Sequence, residues 1–293
     1  MNPVRNALTI DVEDWYHDES RGSGPATDAE IALHGPRVEE NLRRMLEILE
    51  ETDTRATLFC LASLAGKHPE LLREAHARGH EIASHGTRHL PLGDRKPDEV
   101  REDLRRSRET LENLVGSPVA GFRAPFFLRE AADLWALDCV AEADFQWDSS
   151  WLPLRYQPAA AEYITPEGLP GRLASGLWEF PLPLSQLPTG HTLPLAGGGF
   201  TLRALPFAVT AHFLQRYNRE SGPAIVYTHP WEIDPKSPKL PGTPGYIRFF
   251  NRLGRQKMSS KLKRLCEQFS LTTIRDAHAD KLGPDSGPSD TAH

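Results

Sequence analysis

Short apolar runs alternate with charged, amphipathic segments through the first half of the chain, which is the pattern of βα units around a parallel sheet. The run ALTIDV (7–12) predicts a strand, and PRVEENLRRMLEILEE (36–51) predicts a helix with Pro36 in its first turn. The same pattern predicts further strands at 56–62, 80–84, 119–125, 144–150, 224–229 and 271–277. These units indicate an α/β fold. A distorted and incomplete (β/α) barrel of about seven parallel strands is favoured over a doubly wound sheet, because no GxGxxG follows the first strand.

Three segments depart from this alternation. Residues 151–206 are dense in proline and glycine but rich in aromatic residues, so we interpret them as a loop-rich insertion. The basic stretch 248–265 lies in a predicted helix over 246–269, and it is either a solvated face or a contact for a membrane surface or anionic carrier. We expect one catalytic domain over 1–277, with 230–277 as its C-terminal region, and a disordered tail over 278–293.

Composition limits the classes of partner. The chain of 293 residues has a formal charge of -6, which provides no basic face for nucleic acid. Cys60, Cys139 and Cys266 are far apart and form no CxxC pair, so we expect three reduced thiols. No apolar stretch predicts a signal peptide or a membrane span, and we expect a cytoplasmic protein.

Polar side chains gather at the predicted carboxyl ends of the strands, where α/β enzymes carry their catalytic groups. A solvated surface would scatter such charges along the helices instead. The strand-end residues are Asp11, Glu13, Asp14, His85, His89, Arg123, Asp148 and His229.

Two imidazoles and one carboxylate are typical of a mononuclear metal hydrolase with open positions on the ion. The spacing of His85 and His89 predicts two rings on one side of a helical turn. Gly86, in place of a glutamate, disfavours a zinc protease. A second carboxylate would act as general base and a histidine as general acid, with Arg123 holding the base ionised and Asp148 orienting His229.

Five ordered segments resemble the motifs of the polysaccharide deacetylases of the NodB-homology type, carbohydrate esterase family 4. They are TIDVED, SHGTRH, FRAPFF, FQWDSSW and IVYTHPW, within residues 9–231. WEFPL, AGGGF and THPWEIDP resemble the subgroup found beside exosortase and exopolysaccharide gene clusters, which has a DUF3473-like C-terminal region.

The resemblance implies a distorted (β/α) barrel and roles for individual residues. Asp11 would be the general base with Arg123 as its partner, and His229 the general acid tuned by Asp148. His85 and His89 would be metal ligands. The resemblance leaves the carboxylate ligand open, because the usual adjacent aspartates are replaced here by a motif that offers Glu13 and Asp14.

Aromatic residues beside the motifs either stack on sugar rings or pack the core. The candidates for substrate binding are Trp15, Phe126, Trp151 and Trp231.

The resemblance implies removal of N-acetyl groups from amino sugars of an exopolysaccharide or its precursor, with release of acetate. The implied cofactor is one divalent metal ion such as zinc, with nickel, cobalt and manganese as alternatives. The implied partners are an N-acetylated glycan and, peripherally, a membrane-bound polysaccharide export system. Two alternatives stay open, a hydrolase of small cyclic amides such as allantoin and a silent carbohydrate-binding protein.

Overall fold

A computed structural model describes residues 4–17, 26–152, 170–186, 192–238 and 243–283. Its main feature is a nine-stranded sheet, flanked by helices, that curls into a half-barrel. The strands of this sheet are β1 (Asn6–Val12), β2 (Thr57–Cys60), β3 (Glu81–Ser84), β4 (Gly121–Phe122), β5 (Trp147–Asp148), β6 (Gly171–Arg172), β7 (Trp178–Glu179), β10 (Ile225–Thr228) and β11 (Leu271–Thr272). A separate hairpin pairs β8 (Ser185–Gln186) with β9 (Thr192–Leu193).

The strand order is β10-β1-β2-β3-β4-β5-β7-β6, and β11 pairs with β1. Seven consecutive strands, from β10 to β7, run parallel, and β6 is antiparallel to β7. The prediction of a distorted, incomplete (β/α) barrel is therefore confirmed. Parallel strands bring their carboxyl ends to one edge of the sheet, and the predicted polar residues follow those ends.

The helices cover the sheet with amphipathic faces. They are α1 (Asp28–His34), α2 (Val38–Glu51), α3 (Ala62–Ala65), α4 (Pro69–Ala77), α5 (Pro97–Val115), α6 (Trp135–Glu142), α7 (Phe200–Ala204), α8 (Phe207–Glu220), α9 (Gly245–Arg252), α10 (Arg255–Gln268), α11 (Ile274–Ala277) and α12 (Ala279–Leu282). Short 3-10 turns occur at Trp15–His17, Ala131–Asp133 and Pro230–Ile233. No helix in the described part of the chain is long and apolar enough to cross a membrane.

The C-terminal region shares a core with the first strand. Met258 and Leu262 of α10 are fully buried in the same apolar cluster as Leu8 and Ile10 of β1. In this position α10 contacts α2, α7 and the 3-10 turn Pro230–Ile233.

Two of the sequence predictions are wrong in this region. The predicted helix over 246–269 is broken at Gly254, which has a φ of 79° and ends α9 before α10 begins. The predicted strand over 271–277 stops at Thr272, because Thr273 caps α11 by accepting from the backbone N–H of Asp276.

The predicted tail begins in ordered structure. His278 is 1% exposed and packs on Phe180 with ring centroids 4.4 Å apart, and α12 follows it. Residues 284–293 lie outside the described residues. In the predicted insertion over 151–206, β6 and β7 extend the main sheet, whereas residues 153–169 and 187–191 lie outside the described residues.

Candidate active site

A carboxylate and two imidazoles meet at the end of β1 and in the loop after β3. Oε1 of Glu13 lies 3.1 Å from Nε2 of His85 and 3.0 Å from Nε2 of His89. All three side chains are almost fully buried. The three ligand atoms lie within 4.8 Å of one another, which is close enough for them to hold one metal ion.

The chemistry of these donors fits a divalent cation. Nδ1 of His85 is 2.8 Å from the carbonyl oxygen of Arg123, and because a carbonyl only accepts, Nδ1 carries the ring proton. In the neutral ring, Nε2 then carries a lone pair that faces the carboxylate oxygen of Glu13, so two hydrogen-bond acceptors point at each other. A shared cation resolves this arrangement, and an imidazole oriented by a backbone carbonyl is the usual form of a histidine ligand.

The two histidines lie in a loop, and the predicted helical turn is absent there. After β3 ends at Ser84, Gly86 takes a φ of 79°, in the left-handed region that favours glycine. This sharp turn, and not helical periodicity, brings His89 back beside His85 at a ring distance of 5.8 Å.

Asp14 points away from the imidazoles. Its Oδ2 accepts from the backbone N–H groups of Arg37 at 2.8 Å and Val38 at 3.1 Å, at the start of α2. Its Oδ1 accepts from the backbone N–H of Trp15 at 2.7 Å. Asp14 therefore caps a helix, while Glu13 is the carboxylate that faces the histidines.

Asp11 and Arg123 form a buried ion pair. Nη1 of Arg123 donates to Oδ1 of Asp11 at 2.7 Å, and its other nitrogens donate to the backbone carbonyl and hydroxyl oxygens of Ser149. The guanidinium also lies 4.1 Å from the ring centroid of Phe59. Because these contacts fix the guanidinium, Arg123 holds Asp11 in one orientation.

His229, at the end of β10, lies close to Asp11 and is paired with Glu232, an acid outside the predicted site. Its Nε2 lies 3.8 Å from Oδ2 of Asp11, and its Nδ1 lies 3.3 Å from Oε2 of Glu232. Burial lowers the pKa of His229, but the charge of Glu13 and the hydrogen bond to Glu232 outweigh burial and raise it to about 9. His229 is therefore charged at neutral pH and can donate a proton.

The structure thus corrects the partner of His229, which is Glu232 and not Asp148. Oε1 of Glu232 accepts from Nε of Arg203 at 3.2 Å, and its Oε2 accepts from the hydroxyl of Thr228 at 3.0 Å. Burial raises the pKa of Glu232, but His229 and Arg203 lower it to about 2.

Asp148 lies instead beside another buried acid, Glu179. Its carboxylate accepts from the backbone N–H of Ser150 at 2.6 Å and from the Ser150 hydroxyl at 2.8 Å. Burial, together with the neighbouring Asp148 carboxylate, raises the pKa of Glu179 well above its ordinary value. Asp148 therefore shapes the strand end around Ser149 and Ser150, the first of which also binds Arg123.

The four aromatic candidates differ in what they contact. Trp15 is 3% exposed and donates from Nε1 to the carbonyl of Gly35, and Trp151 is 2% exposed within the core. Both are packing residues, because a buried ring offers no face to a sugar. Trp231 stacks on His229 at 4.7 Å and donates from Nε1 to Oε2 of Glu13 at 3.3 Å. Phe126 is half-buried and lies 5.1 Å from the ring of His89, so it alone keeps surface for a ligand.

Two site residues could have been found from the sequence. Glu232 follows His229 by three residues, the spacing at which a side chain reaches back to the start of a helical turn. His17 follows the first motif, and its ring stacks on His89 with centroids 5.3 Å apart. Glu179 and Arg203 gave no such signal, because only tertiary structure brings them to their partners.

Two families match the chain. Residues 32–136 match the family described as polysaccharide deacetylase, and residues 149–279 match the family described as a domain of unknown function, DUF3473. A peptidoglycan-N-acetylglucosamine deacetylase of Bacillus cereus is 32% identical over 107 residues, covering 36% of this chain and 38% of that protein. A chitooligosaccharide deacetylase of Bradyrhizobium sp. is 26% identical over 97 residues, covering 33% of this chain and 42% of that protein. The matches thus span about two fifths of the length of these relatives.

Solved structures share the fold at low sequence identity. A probable polysaccharide deacetylase from Pseudomonas aeruginosa PAO1 superposes with a TM-score of 0.61 at 15% identity, covering 96% of this chain and 92% of that one. An allantoinase gives the same TM-score, identity and coverage. The family matches, the ordered motifs and the half-barrel fold together lead to one conclusion: residues 32–136 belong to the polysaccharide deacetylase family of the NodB type, carbohydrate esterase family 4, and residues 149–279 are a DUF3473 region.

Proposed function

We propose that this protein is a divalent-metal-dependent hydrolase that removes N-acetyl groups from the amino sugars of a poly- or oligosaccharide and releases acetate. The observation that carries the proposal is the convergence of an arginine-bound acid, a charged imidazole and a metal-type donor set at one strand edge. Asp11, His229 and Glu13 supply one member of each. The names of the relatives, which act on N-acetylglucosamine and chitooligosaccharides, support the same substrate class.

The side chains divide the hydrolysis of an acetamide between them. Water adds to the carbonyl carbon as one of its protons passes to Oδ2 of Asp11, the oxygen that Arg123 leaves free. The C–N bond then breaks as the imidazolium of His229 gives its Nε2 proton to the leaving nitrogen. The products are acetate and a free amine. The 3.8 Å between the two side chains lets both act on one carbonyl group.

We propose Glu13, His85 and His89 as the protein ligands of the metal. A bound divalent ion would polarise the carbonyl and lower the pKa of water. Trp231 holds the second oxygen of Glu13, and the carbonyl of Arg123 orients His85. These contacts keep Glu13 and His85 in place without consuming the atoms that face the ion. Zinc is the metal we propose, since two imidazoles and one carboxylate are a common catalytic zinc set.

The finer assignments of substrate and location are part of the same proposal. We propose that the glycan is an exopolysaccharide or its precursor, processed in the cytoplasm beside a membrane-bound export system. The three cysteines, all buried and unpaired, are compatible with a reducing compartment.

Acetate release from short N-acetylglucosamine oligomers tests the proposed activity. We expect release by protein with zinc restored, and a loss of about a hundredfold or more in kcat for Asp11→Asn and for His229→Gln. The matched controls are Asp98→Asn, whose side chain is 98% exposed, and His212→Gln on the exposed side of α8.

Allantoin serves as the second substrate in the same assay. Ring opening of allantoin, with no acetate from any oligomer in the presence of metal, would support the cyclic-amide alternative. Sugar binding without either product, unaffected by Asp11→Asn, would support a silent binding protein.

A further inference from the structure

Helix α9 carries large apolar side chains that the core does not use. None of its residues is buried. Tyr246 is 68% exposed, Phe249 62% and Phe250 49%, and Phe200 of α7, 45% exposed, contacts Phe250 with ring centroids 6.2 Å apart. We call these four aromatic residues the α9 face. Such a cluster of exposed rings marks an interaction surface, because single exposed apolar residues are common but contiguous ones are rare.

Arginines flank the α9 face and are not neutralised. Arg248 donates to the carbonyl of Thr243, and Arg252 donates to the carbonyls of Ser237 and Pro235. Neither forms an ion pair with a carboxylate in the described part of the chain, so each keeps its positive charge for an external anion. Residues 245–268 hold seven lysines and arginines against one glutamate, in a chain whose overall charge is -6.

An open groove joins the arginines to the rings. It has a volume of about 570 Å³ and is lined by Arg248, Phe249, Arg252 and Arg255, among others. Guanidinium groups beside an aromatic ring combine two features that bind a phospholipid. The positive charge attracts the phosphate, and the ring offers an apolar surface to the first methylenes of the acyl chains.

The α9 face is tied directly to the candidate active site. Nη1 of Arg203 donates to the carbonyls of Phe250, Asn251 and Leu253 at the end of α9, at 2.6 to 3.1 Å. The Nε of the same guanidinium donates to Glu232, the partner of His229. One buried arginine thus fixes the orientation of α9 relative to the proposed general acid.

We propose that the α9 face, with Arg248 and Arg252, docks the protein on an anionic membrane surface. The rings would enter the interface between head groups and acyl chains, and the two guanidiniums would bind lipid phosphates, as in amphipathic helices that lie in the plane of the membrane. This inference concerns a surface outside the candidate active site, so it stands or falls separately from the proposed deacetylase activity.

Co-sedimentation with vesicles tests the proposal on the full chain without any turnover. We expect binding to phosphatidylcholine vesicles that contain phosphatidylglycerol, and weak or no binding to pure phosphatidylcholine. Binding should weaken as salt is raised. Arg248→Gln and Arg252→Gln should each lower the partition coefficient about fivefold, and Phe249→Ser should lower it about tenfold.

Matched changes on other exposed surfaces control for charge and for apolarity. Arg105→Gln and Arg106→Gln remove two exposed charges from α5, and Leu33→Ser removes a side chain of α1 that is 77% exposed. These variants should bind vesicles like the unmodified protein. Since all the altered side chains are exposed, thermal unfolding should confirm that every variant is folded.

Three results would overturn the proposal. The first is equal binding to neutral and anionic vesicles, and the second is equal loss of binding in the α5 controls. The third is that the unmodified protein sediments as a dimer without lipid and does not bind vesicles, while Phe249→Ser is monomeric. The α9 face would then be a contact between copies of this chain.

Discussion

The neighbouring acids Glu13 and Asp14 should separate metal binding from folding stability. Asp14 accepts three backbone N–H groups, two of them at the start of α2, and is 1% exposed. Asp14→Ala leaves these donors without their acceptor and removes a negative charge from the positive end of the helix dipole. Loss of a helix cap together with buried unpaired donors should cost about 3 kcal/mol in the free energy of unfolding.

Glu13→Gln should have the opposite profile. The carboxylate oxygen that faces His85 and His89 becomes part of a neutral amide, so zinc affinity should fall about a hundredfold or more. The free energy of unfolding of the metal-free protein should change less than in Asp14→Ala, because Glu13 caps no helix.

Two assays on the same preparations measure this difference. Urea denaturation in the presence of chelator gives the free energy of unfolding, and calorimetric titration with zinc gives the affinity. Asp14→Asn is an intermediate control, since its amide keeps one acceptor for the helix. If Asp14→Ala loses zinc and keeps its stability, while Glu13→Gln binds zinc normally, our placement of the two carboxylates is wrong.

Three further predictions concern residues around the site. The charges of Glu13 and Glu232 together raise the pKa of His229 to about 9. Glu232→Gln removes the second of them, so the alkaline limb of the kcat/KM profile should move to lower pH, part of the way towards the ordinary imidazole pKa of about 6.5; an unmoved limb would exclude His229 as the acid. Burial and the Asp148 carboxylate raise the pKa of Glu179, so the folded protein keeps this proton to higher pH than the unfolded chain, where glutamate titrates near about pH 4.3. Unmodified protein should therefore lose stability relative to Glu179→Gln as pH rises above about 4.3 in urea denaturation, and a constant difference would contradict the raised pKa. A Cβ at Gly254, where φ is 79°, would lie 2.0 Å from the carbonyl oxygen of Arg203, so Gly254→Ala should lower the free energy of unfolding by about 2 kcal/mol or more in thermal unfolding. The control Gly116→Ala, with a φ of 71° and open space around it, should lower it by about 1 kcal/mol. Equal losses would show that the close approach to Arg203 is not the cause.

Local patterns were sufficient for the elements and for the strand ends. Alternation of apolar runs and amphipathic segments predicts seven parallel strands, and the structure contains them as β1, β2, β3, β4, β5, β10 and β11. Because parallel strands share one edge, the order of the polar residues along the chain was enough to predict that Asp11, His85, Arg123 and His229 would meet.

The choice between neighbouring carboxylates could not be made from the sequence. Asp14 turns towards α2 because a 3-10 turn begins at Trp15, and no local pattern fixes that direction. The partner of His229 is different, because the three-residue spacing of Glu232 was a local signal and both residues lie on the same turn.

Breaks in the C-terminal helices likewise depend on tertiary contacts. A single glycine is tolerated inside a helix, so Gly254 alone did not predict a break. The break is required by the backbone of Arg203, which approaches the position of a Cβ at Gly254. The same arginine binds the carbonyls at the end of α9, and its role could not be predicted before the fold was known.

We propose that acetate release depends on a metal held by Glu13, His85 and His89. The most direct test is the rate of acetate release from N-acetylglucosamine oligomers as chelated protein is titrated with zinc. We predict a rate that rises from baseline and levels off at one zinc per chain, and a Glu13→Gln variant that stays at baseline throughout the titration. Full activity of the chelated protein, or equal activation of Glu13→Gln by zinc, would contradict the account.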